Sequence, residues 1–459
     1  MSGAGAKYMD VYPIEEGSAY IGVTRDVDGV MRYDVLEPVL TDAEKALLAR
    51  AKEYVLESKL EDGEAAFKQF LARARVEGDT AKKLAYYFRR DTRGYGKLDP
   101  IMRDPYVEDV HVNGRDGRVF IWHSRYENMR TNVALTEEEV RAFIAKVSNA
   151  VERQVNSANP ILEGLLPEGA RVEVVLREVA ANGDAFTIRK FRGVPYTVVD
   201  LIGLETAGPD ALAYLWMALD KERNVVIVGP TGAGKTTLLN ALLFLLRPDA
   251  RIITIEDTRE LRLLHEQWLP LLVRPGRGEE REEIDMMELL KVAMRMRPDY
   301  LILGEVRGEE AYVLFQAFAS GHHGLTTIHA DNAEGAVRRF VTKPMDVPTA
   351  LLGMAHVYVS VRRVRTGAGV RRSVWEVKEY LDYTDRPVFT DLLINGKMDA
   401  SKSSVVGKDE LDELGRRSRL LREAARHGFN DYRSVFQIIK NYYLEPEATL
   451  KTVEAGALP

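Results

Sequence analysis

Three clusters of residues in this chain have the types and spacing to do chemistry. The first is the run Gly229, Pro230, Thr231, Gly232, Ala233, Gly234, Lys235, Thr236 and Thr237, which fits the pattern G-x-x-x-x-G-K-[ST]. Ahead of it, Val225 to Val228 is apolar and β-branched and reads as a buried strand. Behind it, Leu238, Leu239, Ala241, Leu242 and Leu245 recur at helical spacing. Strand, glycine loop and helix form the setting of a phosphate loop. The glycines let backbone N–H groups close around phosphate oxygens, and the helix N-terminus adds partial positive charge. In such a loop Lys235 supplies a cation to the β- and γ-phosphates, and the Thr236 hydroxyl ligates Mg²⁺. The plainer alternative, a glycine turn between two core elements, is set against a complete motif in the right context.

The second cluster is acidic. Arg251-Ile-Ile-Thr-Ile-Glu-Asp257 reads as a strand ending in Glu256 and Asp257, and Tyr300-Leu-Ile-Leu-Gly-Glu305 as a strand ending in Glu305. A phosphate-loop enzyme that uses water must hold Mg²⁺ and orient or deprotonate that water. Carboxylates at the ends of neighbouring strands can do both. A lone strand-end acid is more often a helix cap, but two such acids follow one phosphate loop here. The third cluster is Gly321-His-His-Gly-Leu-Thr-Thr-Ile-His-Ala-Asp331. Its three histidines and Asp331 suggest a metal site, yet the spacing matches no usual ligand pattern. Leu325 to Ile328 reads as a core strand, which sets His329 at its end, within reach of a γ-phosphate.

These residues need a frame of several domains, because 459 residues are too many for one core. Hydrophobic content of 46% and charged content of 29% are those of a soluble globular chain, and a net charge of −6 gives no global argument for nucleic-acid binding. Zero cysteines exclude disulfides and thiolate metal sites. Residues 1–80 read as an N-terminal helical extension, with a capping box at Thr41-Asp-Ala-Glu44. Residues 81–193 read as an α+β domain with hairpins around residues 110–122 and 171–190. Residues 194–203 read as a linker, 204–400 as alternating strands and helices with a mostly parallel sheet, and 401–459 as a helical tail. Lys82 to Arg93 interleaves five cations with Tyr86, Tyr87 and Phe88. That pattern could bind nucleic acid or a membrane surface, but a half-exposed helix with a solvated basic face accounts for it more simply.

Read together, the motifs resemble the secretion ATPase superfamily, the motors of type II and type IV secretion, type IV pili and the archaellum. Four motifs match in order: the Walker A loop from Gly229 to Thr236, the acidic box from Ile253 to Glu260, the Walker B run from Arg297 to Gly308, and the histidine box from Gly321 to Asp331. The resemblance extends upstream through Leu166-Pro-Glu-Gly-Ala-Arg171 and Phe186-Thr-Ile-Arg-Lys-Phe191, and Gly94-Tyr-Gly-Lys-Leu-Asp99 looks most like archaeal members. It implies a ring-forming α/β protein, with a RecA-like phosphate-loop ATPase domain preceded by a smaller α+β domain. It also implies ATP and Mg²⁺ as cofactors, with Thr236, Glu256 and Glu305 at the metal. Glu256 and Glu305 share the work on the attacking water, and which of them is the base stays open. His329 resembles the γ-phosphate sensor. Arg171 and Arg189 resemble N-terminal-domain arginines that reach the γ-phosphate. Some bacterial relatives carry a four-cysteine zinc insert; with no cysteine here, no zinc is expected.

The expected function is a homohexameric, MgATP-hydrolysing motor on the cytoplasmic face of the membrane. It would drive assembly of a pilus-like, archaellum or secretion filament through a membrane platform protein. A conjugation-type DNA-transfer motor on the same fold is the first rival. A phosphate-loop kinase and a nucleotide-gated module without turnover are others.

Overall fold

A computed structural model describes residues 8–459 except 59, 61, 115, 192, 275–282, 367–368 and 395. The chain divides into two compact units, residues 1–192 and 193–459.

The first unit opens with β1 (Asp10–Glu15), β2 (Ala19–Arg25) and β3 (Met31–Leu36). Helices α1 (Asp42–Glu57), α2 (Gly63–Arg73), α3 (Gly78–Thr92) and the short α4 (Asp99–Arg103) follow. Then come β4 (Val107–Asn113), β5 (Arg118–His123), β6 (Glu127–Ala134), α5 (Glu137–Ala150), β7 (Ile161–Leu165), β8 (Arg171–Val175) and β9 (Ala185–Arg189). All nine strands form one sheet in the order β1-β2-β3-β6-β5-β4-β9-β8-β7. The expected capping boxes are present, with Thr41 and Glu44 opening α1 and Thr136 and Glu139 opening α5.

The expectation of a helical extension over residues 1–80 is corrected here. Its first third is strand, not helix. Ile21, Val23 and Tyr33 alternate into the main core of the unit beside Val110, Val119 and Ile121. A buried carboxylate completes the join. Asp104, fully buried, accepts from the hydroxyls of Tyr12 (2.8 Å) and Tyr33 (2.7 Å) and from the backbone of Tyr106 (2.8 Å). Burying these groups costs little only because each meets a partner. The helical part, α1 to α3, packs its own small core around Leu48, Phe67, Phe70, Leu84 and Phe88.

The second unit runs α6 (Val198–Gly203), α7 (Pro209–Asp220), β10 (Val225–Val228), α8 (Lys235–Leu243), β11 (Ile252–Glu256), β12 (Trp268–Leu272) and α9 (Met286–Met294). It continues through β13 (Tyr300–Leu303), α10 (Glu310–Ala319), β14 (His323–Ile328), α11 (Ala333–Val341), β15 (Val357–Thr366), β16 (Gly369–Tyr383) and β17 (Pro387–Asp391). The small pair β18 (Leu393–Ile394) and β19 (Lys397–Met398) precedes α12 (Leu411–Arg426), α13 (Tyr432–Leu444) and α14 (Pro446–Glu454). The main sheet has the order β12-β11-β13-β14-β10-β15-β16-β17. It is parallel from β12 to β15 and antiparallel beyond. This is the RecA-like α/β arrangement, with the loop-bearing strand β10 in the sheet interior.

Central strands buried on both faces read as continuous apolar runs. In β10, Val225 and Ile227 enter one core while Val226 and Val228 enter the other. Two further boundaries differ from expectation. The stretch 194–203 is not a free linker in its second half, because α6, capped by Thr197 and Asp200, buries Val198, Val199 and Leu201. Residues 401–459 are not a separate tail either. Leu420, Leu421, Ile438, Ile439, Tyr442 and Val453 complete the same core as β10 and α8. Among the described residues, no helix is long and apolar enough to cross a membrane.

Candidate active site

The sheet order sets β11, β13, β14 and β10 side by side, so their C-terminal ends share one edge. Glu256 closes β11, Glu305 follows β13, His329 follows β14, and the glycine loop follows β10. Residues far apart in sequence therefore meet in one row.

The loop is shaped by its glycines. Gly232 (φ +72°) and Gly234 (φ +95°) sit in the left-handed region, where a side chain is strained. At Gly229 a Cβ would lie 2.6 Å from the backbone oxygen of Val361. The turn delivers the chain into α8 at Lys235, with Thr236 and Thr237 in the first helical turn. Lys235 is 7% exposed. Its Nζ donates to the Pro230 carbonyl (3.3 Å) and lies 3.1 Å from Nδ1 of His329. Burial pulls this ammonium down to about 8. Oγ1 of Thr231 lies 3.4 Å from the same imidazole nitrogen. Burial and the Lys235 charge hold His329 below its ordinary range.

The two acids sit in unlike surroundings. Glu256, 3% exposed, accepts from the backbone N–H groups of Glu260 and Leu261, both at 2.9 Å. Burial still raises its carboxyl to about 7, only partly offset by those donors. Glu305 is pushed the other way. Burial opposes its ionisation, but the hydrogen bond and charge of Arg307, with His329 and Lys235 behind them, hold it below the usual carboxylate range. Arg307 Nη2 donates to Glu305 Oε2 (2.8 Å), and its Nη1 lies 3.5 Å from Asp257. Nε2 of His329 lies 2.9 Å from Glu305 Oε1. Among the described residues, Oε2 of Glu256 is a buried oxygen with no hydrogen-bond partner, and Oε1 of Glu305, also buried, has the His329 imidazole beside it. Buried carboxylate oxygens left this way suit a hard cation or an oriented water. Together with the Thr236 hydroxyl they fit the donor set Mg²⁺ prefers.

Two arginines at this edge carried no assignment in the sequence reading. Arg307 stands two residues past Glu305 inside a recognised motif, so its position was the available signal. Arg339 on α11 donates to the backbone oxygen of His329, and nothing local in the sequence marks it.

The histidine cluster does not gather. His322 lies against Ser320 and the carbonyls of Ala317 and Met294, His323 pairs with Glu222 at 3.1 Å, and His329 alone faces the loop. Among the described residues no group of three or more His, Cys, Asp or Glu is arranged to hold a metal ion. Arg171 and Arg189 belong to the first unit, directly opposite each other on β8 and β9. Arg171 pairs with Glu163 and Glu173, and Arg189 with Asp109. In the basic stretch of α3 the aromatics turn inward. Phe88 stacks on Phe67, and the Tyr86 hydroxyl binds Glu37. Arg89, Arg90 and Arg93 are paired with Glu15, Glu37 and Glu64. The stacking platform that nucleic-acid binding would need there is not formed.

Residues 98–365, more than half of the chain, match the family described as type II/IV secretion system protein. The chain is 33% identical over 393 residues to an uncharacterized protein of Methanocaldococcus jannaschii, spanning 80% of this chain and 71% of that one. It is 32% identical over 281 residues to the conjugal transfer protein TrbB of Rhizobium radiobacter, spanning 59% and 84%. Among solved structures it is similar to the VirB11 ATPase of the Brucella suis type IV secretion system in complex with sulphate, with 27% identity, 62% and 92% of the two chains covered, and a TM-score of 0.33. On the extent of the matched sequence, this chain belongs to the type II/IV secretion system protein family.

Proposed function

We propose that the chain is a MgATP-hydrolysing motor, working as a homohexameric ring on the cytoplasmic face of a membrane. The observation that carries this reading is the row of phosphate loop, Glu256, Glu305 and His329 on one sheet edge, with two buried carboxyl oxygens left for a cation and a water. Backbone N–H groups of Thr231, Gly232, Gly234, Lys235 and Thr236 would hold the phosphates, Lys235 would neutralise their charge, and Thr236, Glu256 and Glu305 would hold Mg²⁺. The bound ion would supply further charge neutralisation at the phosphates. Water attacks the γ-phosphorus, the bond to the β–γ bridging oxygen breaks, and ADP leaves as the water proton passes to a carboxylate. Glu256 and Glu305 share the orientation of that water, and His329 contacts the γ-phosphate.

Arg171 and Arg189 would complete this charge array from the N-terminal unit, coupling turnover to relative motion of the two units. The work would go into a membrane platform protein and a pilus-like, archaellum or type II secretion filament. The test is phosphate release from MgATP across a protein-concentration series, wild type against Glu305→Gln. Turnover without any acceptor, rising steeply with concentration and lost in the variant, supports the ring motor. ATP binding without release at any concentration sinks the free-running motor and leaves a kinase or a gated module. The likeness to a conjugal transfer protein favours one second reading, a DNA-transfer motor. Stimulation of turnover by single-stranded DNA would favour it.

A further inference from the structure

β10 stops at Val228, but its neighbour β15 continues. The two strands pair from Val225 with Val357 to Val228 with Ser360. β15 then runs on from Val361 to Thr366, paired among the described residues with β16 alone. This overhang lies beside the phosphate loop, as the close approach of the Val361 carbonyl to Gly229 shows. Val361 and Val374 face each other in the core, and two residues further on, on the same face, Arg363 stands opposite Arg372. Nε of Arg372 donates to the Gly232 carbonyl at 3.1 Å, and its Cδ lies 3.2 Å from where a Cβ on Gly234 would be. Nη1 of Arg363 lies 3.9 Å from the corresponding point at Gly232. The two residues that turn the loop through left-handed conformations are thus the two these arginines approach.

We propose that the β15–β16 overhang is a wall of the nucleotide site. Arg372 is a positioning residue that holds the phosphate loop in its binding shape, and Arg372 and Arg363 together form a positive rim for the phosphates of a nucleoside di- or triphosphate. The inference rests on the reading of the loop as a nucleotide site. Holding the Gly232 carbonyl outward leaves the neighbouring N–H groups free to point inward. It also removes conformations the empty glycine turn would otherwise sample.

The test is the dissociation constant of a fluorescent ADP analogue in EDTA, without turnover, for wild type, Arg372→Gln, Arg372→Lys and Arg363→Gln, at low and high salt. Arg372→Gln should weaken binding about tenfold, the scale of one charge-assisted hydrogen bond. Arg372→Lys should fall between, since it keeps the charge and loses the fork. Both Gln variants should show a shallower salt dependence than wild type. Melting temperatures of the free proteins should stay together, which separates loop positioning from general damage. Binding by Arg372→Gln within twofold of wild type at low salt would overturn the inference while leaving the site reading intact. A wild type that does not bind the analogue would overturn both.

Discussion

At the residue scale, the loop and the acids make opposite demands on their surroundings. Gly229 is required by contact with a backbone oxygen that no side-chain movement can relieve. Gly229→Ala should cost on the order of 1–3 kcal/mol and abolish nucleotide binding. Gly203→Ala, which meets nothing within 4 Å, should be nearly neutral, and chemical denaturation with a binding titration checks both. Glu256 carries a pH signature. In the unfolded chain its carboxyl titrates near 4.5, and in the folded protein near 7. Below the lower value the group is neutral in both states and costs nothing. As pH rises between the two, the unfolded chain alone releases the proton, so folding stability falls and the full penalty is present above 7. Glu256→Gln keeps an acceptor for Glu260 and Leu261 and does not titrate. In nucleotide-free, Mg²⁺-free buffer its stability relative to wild type should therefore rise between pH 5 and pH 8, by up to roughly 3 kcal/mol. A gap that does not move with pH in urea titrations would show that Glu256 is not held neutral.

At the element scale, legibility tracks how local the cause of an element is. β10, β11, β13 and β14 could be read from the sequence because each is an apolar run buried on both faces, and each motif residue is sited by the end of its own strand. The hairpins β4–β5 and β8–β9 could be read from alternation around a turn, although Arg115 in the first turn and residues 367–368 in the β15–β16 turn lie outside the described residues. β1 to β3 were missed because their evidence is distant. Tyr12 and Tyr33 look like ordinary surface tyrosines until Asp104 is found beneath them. The β15–β16 overhang was legible only as a hairpin closing the domain, since the contact of Arg372 on β16 with Gly232 spans 140 residues. The Asp104 junction makes a prediction of its own. Tyr33→Phe leaves a fully buried carboxylate short of one donor and should destabilise the first unit by about 1–3 kcal/mol. Proteolysis near β1–β3 should accelerate in the same variant.

At the scale of the whole molecule, two compact units with separate cores should melt as two calorimetric transitions. Tyr33→Phe should lower only one of them. Ile439→Ala, in α13 and fully buried, should lower only the other, at a cost of about 2–5 kcal/mol. Both transitions shifting together in either variant would mean the units do not unfold independently. The Ile439 prediction also asks whether the last helices are structural. Their shared core with β10 and α8 says that the ATPase fold is incomplete without them.

That shared core has a mechanical side. The hydroxyl of Tyr443 on α13 lies against both the Asp220 carboxylate and the Leu245 carbonyl just past the end of α8 (2.8 Å), and accepts from Nε1 of Trp216 on α7 (2.8 Å). The other end of α8 is Lys235. α8 thus joins the C-terminal helices, at one end, to the glycine loop, at the other, and is a continuous rigid element between the two. A ligand of that C-terminal surface that changes nucleotide affinity would have its own affinity changed by nucleotide by the same factor.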